Sequence, residues 1–212
     1  MEQICDLLIG RNYNLNIWAY ARVDTVDEKL LDKLRRAGFR WLALGIESSD
    51  QRVLSDVSKG QYSSEDTKRV VRMIQGAGIY VIANFMFGLP EDDMESMKHT
   101  LNLAREINAE WPNFYTTMAY PGSKLYMDCI KNNVPLPDSW LGYSQYSYEC
   151  VPLPTKYLSG REVLAFRDYA FNAYFEDNEN YFNMIREKFG EDTVKDIRGM
   201  LKKKLKRKLL EG

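Results

Sequence analysis

Short apolar runs with a strand-like pattern alternate with segments of helical period along the first two thirds of this chain. The strand-like runs, each followed by polar, Gly or Pro residues, are Leu15–Arg22, Trp41–Ile46, Ile79–Phe87 and Asn113–Tyr120. Strand starts recur roughly every 25 to 40 residues, which is the length of a βα unit. Because right-handed crossovers make successive strands of such units parallel, the pattern predicts four parallel strands in sequence order.

Capping residues mark the helices between these runs. The predicted helices extend from Thr25 to Gly38, from Ser63 or Ser64 to Gly76 or Gly78, and from Met94 to Asn108. Thr25-Val26-Asp27-Glu28 has the capping-box pattern, and Asp92 with Glu95 forms an Asp-x-x-Glu helix start. Each strand is therefore expected to be followed by a helix or a turn.

The last third of the chain has a different pattern. Lys131–Leu158 is rich in Pro, Tyr and Ser without a regular period, which predicts a long loop. Ser159-Gly160-Arg161-Glu162 is another capping box, and it opens an all-helical tail with helices over Tyr181–Phe189 and about Asp192–Leu210. We interpret the basic run Lys202–Lys208 as a solvated helix end rather than an RNA or lipid contact.

These patterns predict an α/β protein. We expect about four parallel strands with flanking helices, as a partial (β/α) barrel or a short open sheet, followed by an all-helical C-terminal extension. The predicted domains are residues 1–130 for the partial barrel, 131–158 for a linker and 159–212 for the extension. A complete eight-stranded barrel typically needs about 250 residues, so four strands are half of one or a short open sheet.

Composition narrows the possible partners. The 212 residues are 45% hydrophobic with a formal net charge of -1, so a sizeable core is possible and no general affinity for nucleic acid or anionic membranes is expected. The longest apolar stretch, Tyr80–Pro90, is too short to span a bilayer. Cys5, Cys129 and Cys150 are odd in number and widely spaced, which favours reduced thiols. With no signal peptide visible at the N-terminus, the prediction is a cytoplasmic protein.

Polar or special groups follow each predicted strand. They are Arg22 and Asp24, then Glu47-Ser48-Ser49, then Gly88-Leu89-Pro90-Glu91, and finally Tyr120-Pro121-Gly122-Ser123. The ends of parallel strands meet on one rim, where α/β proteins bind ligands, so these groups predict a ligand site. Each group also has a structural alternative. They are an Arg22–Asp24 ion pair, a capping role for Glu47 at the helix near Asp50, an ordinary strand end with a Gly turn at Gly88, and a plain turn at Pro121-Gly122.

The ordered set of these residues resembles a known family, the radical S-adenosylmethionine (SAM) enzymes. The matching segments are Arg22-x-Asp24, Gly45-Ile46-Glu47-Ser48, Val53-Leu54 with Lys59-Gly60, Phe87-Gly88-Leu89-Pro90-Glu91 and Tyr120–Tyr126. The resemblance spans roughly residues 15 to 127 and is strongest to the branch that often carries an N-terminal cobalamin-binding domain. The order of the segments is more specific than any one of them.

The resemblance implies roles for individual residues. Glu47, with Ser48 beside it, matches a position that commonly contacts SAM through its ribose or methionine portion. Asn84–Glu91 is similar to the family pattern GxIxGxxE, which helps hold the adenine. The residues that match its Ile, second Gly and Glu are Met86, Gly88 and Glu91, whereas Asn84 replaces its first Gly. Arg22 is expected to make only a minor cofactor contact, and no metal ligand is predicted in this chain.

The family's cysteine loop, Cys-x3-Cys-x2-Cys, is not present in these 212 residues. Its three thiolates bind a 4Fe–4S cluster that chelates SAM, and soft thiolates at close spacing are what such clusters need. We therefore expect this chain to be the C-terminal portion of a larger enzyme, with the cluster ligands, and cobalamin if it is used, held in the missing N-terminal part. The chain would form half of the SAM pocket and part of the wall around a small-molecule substrate.

The parent reaction implied by the resemblance is reductive cleavage of SAM to a 5′-deoxyadenosyl radical. Without the cluster cysteines, this chain alone is expected to be inactive. One alternative is a non-catalytic binding or scaffold protein derived from such a barrel. Another is a carboxylate-dependent hydrolase using Glu47 and Glu91, which is disfavoured because such sites usually need His or several Asp ligands. The family interpretation predicts that Glu47, Glu91 and Ser123 share one rim, and that one sheet edge and one apolar sheet face are left open.

Overall fold

The structure is a computed structural model that describes residues 1–56 and 62–211. The matching segment Lys59-Gly60 lies outside the described residues. Within them, one parallel sheet has four strands in sequence order. The strands are β1 (Ile17–Arg22), β2 (Phe39–Glu47), β3 (Tyr80–Phe87) and β4 (Trp111–Thr116). The predicted α/β class and strand order are therefore confirmed, although β4 begins and ends earlier than the predicted Asn113–Tyr120.

Helices follow the strands and then form the C-terminal third. They are α1 (Glu2–Gly10), α2 (Glu28–Arg36), α3 (Gln51–Asp56), α4 (Ser64–Gly76), α5 (Met94–Ile107), α6 (Lys124–Lys131), α7 (Gly160–Phe175), α8 (Glu179–Phe189) and α9 (Glu191–Leu201). Between α6 and α7 the chain is mainly loop, as predicted, with one short 3-10 turn over Trp140–Tyr143. None of the described helices has the length and hydropathy needed to cross a membrane.

Two helix starts differ from the predicted caps. At α2 the capping side chain is Asp27, which accepts a hydrogen bond from Lys29 N, whereas Thr25 Oγ1 bonds back to the Arg22 backbone. At α5 the side chain that accepts the first amides, those of Glu95 and Ser96, belongs to Asp93 and not to the predicted Asp92. In both places several polar residues stand together, and only the backbone conformation decides which of them caps the helix.

The described residues form two compact units, and β3 and β4 contribute to both. The first unit comprises the described part of Met1–Phe85 with Asn102–Asn113, and the second comprises Met86–Leu101 with the described residues from Phe114 onward. The domain boundaries derived from the sequence remain predictions.

In the first unit, the two faces of the sheet differ in burial. Alternate residues of β2 and β3, including Leu42, Leu44, Val81, Ala83 and Phe85, are buried. On the other face Trp18, Trp41 and Tyr80 lie side by side in cross-strand register. Trp18 is 53% exposed and Tyr20 is 76% exposed. β1 is an edge strand of the described sheet, so the expected open edge is confirmed, and the apolar face is exposed at the aromatic residues of β1.

The second unit is built around aromatic residues of α7. Phe166 packs edge-on against Phe87 at the end of β3, with ring centroids 5.0 Å apart. Phe87 also stacks on Phe114 of β4 at 5.8 Å, and Phe114 contacts Tyr174 at 5.6 Å. The predicted capping box of Ser159 with Glu162 is confirmed at the start of α7. The inward-facing aromatic residues of α7 therefore fix this helix against the ends of the two strands.

The C-terminal segment is not the continuation of a helix that the sequence predicted. α9 ends at Leu201, and in the segment that follows, Lys208 N donates to Tyr148 O at 2.9 Å. Neighbouring lysines repel one another on a helix, which disfavours its continuation. Arg207, interpreted from the sequence as part of a solvated end, is instead only 2% exposed. Its guanidinium binds both carboxylate oxygens of Asp168 at 2.8 and 2.9 Å.

We expect the free energy of unfolding to decrease in acid because of Asp168. Burial tends to raise the pKa of its carboxyl, but hydrogen bonds from Arg207 and Arg167 outweigh burial and hold that pKa below its usual value. Such a carboxylate stabilises the fold fully above the unfolded pKa of about 3.9, and the contribution is lost as the pH falls through the folded pKa. Urea denaturation at stepwise lower pH should show the decrease. An equally steep decrease in Asp168→Asn would contradict this assignment.

Candidate functional site

In the first unit, three residues of the candidate site form one row across the sheet. Arg22 of β1 pairs in register with Gly45 of β2, and Gly45 pairs with Asn84 of β3. Side chains at such positions project from the same face of a sheet. Arg22 and Asn84 therefore flank a glycine on the open face, near the carboxyl ends of their strands.

Glu47 lies just beyond this row in a strained turn. Its φ is +65°, a left-handed value that is rare for residues other than Gly, Asn and Asp. Ser48 N donates to Ile46 O at 2.9 Å, so the three residues form a γ-turn centred on Glu47, the rare and strained form. The β2–β3 register shifts at the same point. Backbone strain of about 1–3 kcal/mol is typical of functional sites.

The carboxylate of Glu47 extends back over Gly45. A Cβ atom on Gly45 would lie 2.8 Å from Glu47 Oε1, so a larger residue there would displace the carboxylate from its position over the strand. Glu47 itself is 9% exposed. The turn thus directs an acidic group over the row that also contains Arg22 and Asn84.

Tyr62 is a site residue that the sequence did not reveal. Its hydroxyl donates to Ile46 O at 3.2 Å and lies 3.4 Å from Gly45 O, and the residue is 5% exposed. Burial and then the negative charges of Glu47 and Asp24 raise the pKa of Tyr62 to about 12, so it is a hydrogen-bond donor at neutral pH. No sequence pattern distinguishes this tyrosine, because only the fold returns it to the end of β2.

Arg22 and Asn84 also have structural partners. The guanidinium of Arg22 binds Asp24 through two hydrogen bonds of 3.0 and 2.7 Å, the local ion pair considered from the sequence. Asn84 Nδ2 donates to Leu44 O at 3.2 Å, and its Oδ1 accepts from Asn113 at 3.0 Å. Asn84 therefore bridges β2 and β4, a role that the glycine of the family pattern could not fill. Ser48, which is buried, accepts a hydrogen bond from Asp50 N.

In the second unit, the loop after β3 is closely packed. Gly88 has a φ of +84°, and a Cβ atom there would lie 2.5 Å from Val163 Cγ1 of α7. The buried carboxylate of Asp92 accepts hydrogen bonds from Gly88 N and Leu89 N, each at 3.0 Å. Half-buried Met86 precedes this loop. Gly88 thus has a packing role in addition to the predicted ligand role.

A cavity of about 350 Å³ opens beside this loop, within the second unit. It is lined by Gly88, Pro90, Glu91, Thr117, Leu125, Asp128, Cys129, Asn132, Val134, Leu153, Pro154, Thr155 and Lys156. Glu91 Oε1 is 3.5 Å from Lys156 Nζ, and Glu91 Oε2 is 3.4 Å from the Tyr157 hydroxyl. Most of the lining is apolar, with a few charged groups, as is typical of small-molecule sites.

The predicted rim is divided between the two units. Glu47 belongs to the first unit, whereas Glu91 and Ser123 belong to the second. Ser123 caps α6, since its hydroxyl accepts from Tyr126 N at 3.1 Å. That the three residues share one rim therefore remains a prediction.

The three cysteines do not fit an iron–sulfur cluster. Each one is buried as a free thiol, and burial raises the pKa of all three. A raised pKa disfavours the thiolate, which is the form that binds iron. Within residues 1–56 and 62–211, no group of three or more His, Cys, Asp or Glu side chains is arranged to hold a metal ion. His99 lies on the surface of α5 beside Glu95, with its side chain 58% exposed.

Comparison with known proteins identifies the family. Residues 4–104 match the family model described as the radical SAM superfamily. This part of the chain, just under half of it, therefore belongs to the radical SAM superfamily. The matched range includes the β1–β2–β3 row and the γ-turn at Glu47, so the resemblance found in the sequence is confirmed.

Two proteins with similar sequences are longer than this chain. An uncharacterised methyltransferase of Pyrococcus horikoshii is 23% identical over 184 residues, which are 87% of this chain and 39% of that protein. The anaerobic magnesium-protoporphyrin IX monomethyl ester cyclase of Rubrivivax gelatinosus is 30% identical over 128 residues, which cover 59% of this chain and 23% of the cyclase. The chain thus spans well under half the length of either relative.

A solved structure shares the fold. The radical SAM methyltransferase TsrM of Kitasatospora setae, with cobalamin and a 4Fe–4S cluster bound, superposes with a TM-score of 0.55 at 21% identity. The superposition covers 65% of this chain and 29% of TsrM. At this identity, the likeness extends to the fold alone.

Proposed function

We propose that this chain forms one side of the SAM pocket, and part of the substrate wall, of a radical SAM enzyme. The observation that carries the proposal is the strained γ-turn that directs the Glu47 carboxylate over Gly45, beside Arg22 and Asn84. A carboxylate can accept hydrogen bonds from both hydroxyls of a ribose or from an ammonium group, and SAM presents both. The adjoining glycine, Gly45, leaves the space that this carboxylate occupies above the strand.

The other residues predicted to contact SAM or the substrate belong to the second unit. The apolar side chain of Met86 and the backbone after Gly88 suit an adenine ring, and the cavity beside Glu91 suits a small substrate. The relatives include a methyltransferase and a tetrapyrrole ester cyclase, which supports a small organic molecule as the substrate. Methyl transfer and cyclisation are both compatible with these residues.

The cluster ligands must come from outside these 212 residues, because the three cysteines do not fit the cluster. The open edge of β1 and the exposed aromatic face suit a polypeptide segment that continues the sheet and carries the cysteine loop. When bound, SAM and the cluster supply the radical chemistry of the parent enzyme, reductive cleavage to a 5′-deoxyadenosyl radical. The residues of this chain bind and orient the adenosyl group and exclude water. A cobalamin domain in the parent protein is part of the proposal.

We expect the isolated chain to bind S-adenosylhomocysteine weakly and to bind no iron. Glu47→Gln should weaken that binding about ten-fold or more, because a hydrogen bond to a charged group is worth roughly 1.5–3 kcal/mol. Calorimetry and amide chemical shifts would measure binding, and anaerobic reconstitution with iron and sulfide would measure cluster formation. No 5′-deoxyadenosine should form when SAM and a reductant are added.

The matched control is Glu65→Gln, which neutralises an exposed carboxylate on α4. It should leave binding unchanged. Stoichiometric cluster assembly on this chain would overturn the assignment of the cluster ligands to another segment. If S-adenosylhomocysteine causes no shift near Glu47 even at millimolar concentration, a non-catalytic binding or scaffold protein becomes the better interpretation.

A further inference from the structure

We propose that Tyr62 is a positioning residue, whose hydroxyl holds the γ-turn at Glu47 and thereby orients the Glu47 carboxylate towards an adenosyl ligand. The inference rests on the proposed function for the identity of the ligand. Its structural half, the hold of Tyr62 on Glu47, can be tested without any ligand.

The Ile46 carbonyl connects Tyr62 to the γ-turn at Glu47. This oxygen accepts one hydrogen bond from the Tyr62 hydroxyl at 3.2 Å and another from Ser48 N at 2.9 Å. The carbonyl belongs to the peptide group that joins Ile46 to Glu47, so its orientation determines the backbone rotation at Glu47. The hydroxyl also lies 3.4 Å from Gly45 O, at the residue over which the carboxylate extends.

Strain at Glu47 explains why a hold is needed. A φ of +65° is unfavourable for a glutamate, and the β2–β3 register shifts at this residue. A strained turn persists only when its surroundings fix it. Tyr62 is 5% exposed, so its hydroxyl binds these carbonyls with little competition from water.

Electrostatics link the same groups. Among the residues that the structure describes, the charges that act on the Tyr62 hydroxyl come from Glu47 on β2, and from Asp24 and Arg22 at the end of β1. The two carboxylates raise the pKa of Tyr62 and the guanidinium lowers it, with burial as the largest cause of the net increase. The hydroxyl therefore keeps its proton, and its donor role, throughout the neutral range.

The test compares Tyr62→Phe with Tyr13→Phe in the full chain. Tyr62→Phe retains the buried ring and removes only the hydroxyl, whereas Tyr13 is 51% exposed and supplies a matched control. We expect Tyr62→Phe to shift the ¹³Cα resonance of Glu47 towards ordinary extended values. It should also weaken binding of S-adenosylhomocysteine about two- to ten-fold, the effect of one hydrogen bond. Tyr13→Phe should change neither quantity.

A double-mutant cycle separates positioning from a general loss of structure. If Tyr62 acts through Glu47, Tyr62→Phe should weaken binding no further in a Glu47→Gln background. An additive loss in the double variant, or an unchanged Glu47 resonance in Tyr62→Phe, would overturn the inference. If the wild-type chain does not bind the probe but the Glu47 resonance moves in Tyr62→Phe, the hold of Tyr62 on Glu47 is supported and the proposed adenosyl site fails.

Discussion

Replacing Arg207 by alanine is expected to lower the free energy of unfolding by about 3–5 kcal/mol. The guanidinium binds Asp168 through two hydrogen bonds and donates to the carbonyls of Gln145 and Ser147 at 3.0 and 2.9 Å. The side chain of Asp168 is only 21% exposed, and Arg207→Ala removes the positive charge and the two hydrogen bonds that stabilise this mostly buried carboxylate. It also removes the contact that ties the C-terminal segment to the loop before α7. Urea denaturation at neutral pH measures the change.

Lys206→Ala is the matched control, because it removes a neighbouring cation that is exposed. It should change the stability by less than about 0.5 kcal/mol. A loss below about 1 kcal/mol in Arg207→Ala would mean that the C-terminal segment is not an integral part of the second unit. Limited proteolysis should then cleave the wild-type segment readily.

Replacing Gly88 by alanine is expected to destabilise the second unit by about 2–5 kcal/mol. Two costs add at this position. Alanine is strained at a φ of +84°, and its methyl group would lie 2.5 Å from Val163 Cγ1. Thermal or urea denaturation measures the loss, which should appear whether or not a ligand is present.

Gly122→Ala separates the two costs. Gly122 has a φ of +86° but no heavy atom within 4 Å of the added methyl, so its cost should be only the backbone strain of about 1–2 kcal/mol. The double variant Gly88→Ala with Val163→Ala should be destabilised by less than the sum of the two single changes, because the clash is relieved. If Gly88→Ala and Gly122→Ala lose equal amounts of stability, Val163 must move away from the added methyl group without a measurable loss of stability.

Much of the fold follows from local patterns in the chain. The apolar runs and their spacing correctly predicted four parallel strands in order, because strand and helix periodicity depend on which side chains must be buried. The helix end at Gly38 and the capping box at Ser159 were also predicted correctly, and Ser63 was one of the two residues predicted to begin α4, since these signals depend on neighbouring residues only. α6 was missed, although Ser123 gave a capping signal for it.

Other features depend on contacts between residues that are distant in the sequence. Arg207 was interpreted as solvated because nothing near it in the chain indicates Asp168, which lies 39 residues away. Tyr62 likewise acts on Gly45 and Ile46, whose carbonyls it reaches only after the chain has folded back. Sequence patterns report local preference, and such pairings are decided by packing.

The sequence by itself determined the α/β class, the strand order, the family resemblance and the lack of a cysteine loop for the cluster. Each of these features depends on the type and spacing of residues along the chain. Only the tertiary structure decided that Glu47 lies in a strained γ-turn over Gly45, that Asn84 bridges two strands and that Gly88 is packed against Val163. The physical reason is that backbone strain and close packing arise between elements, and one-dimensional periodicity contains no information about them.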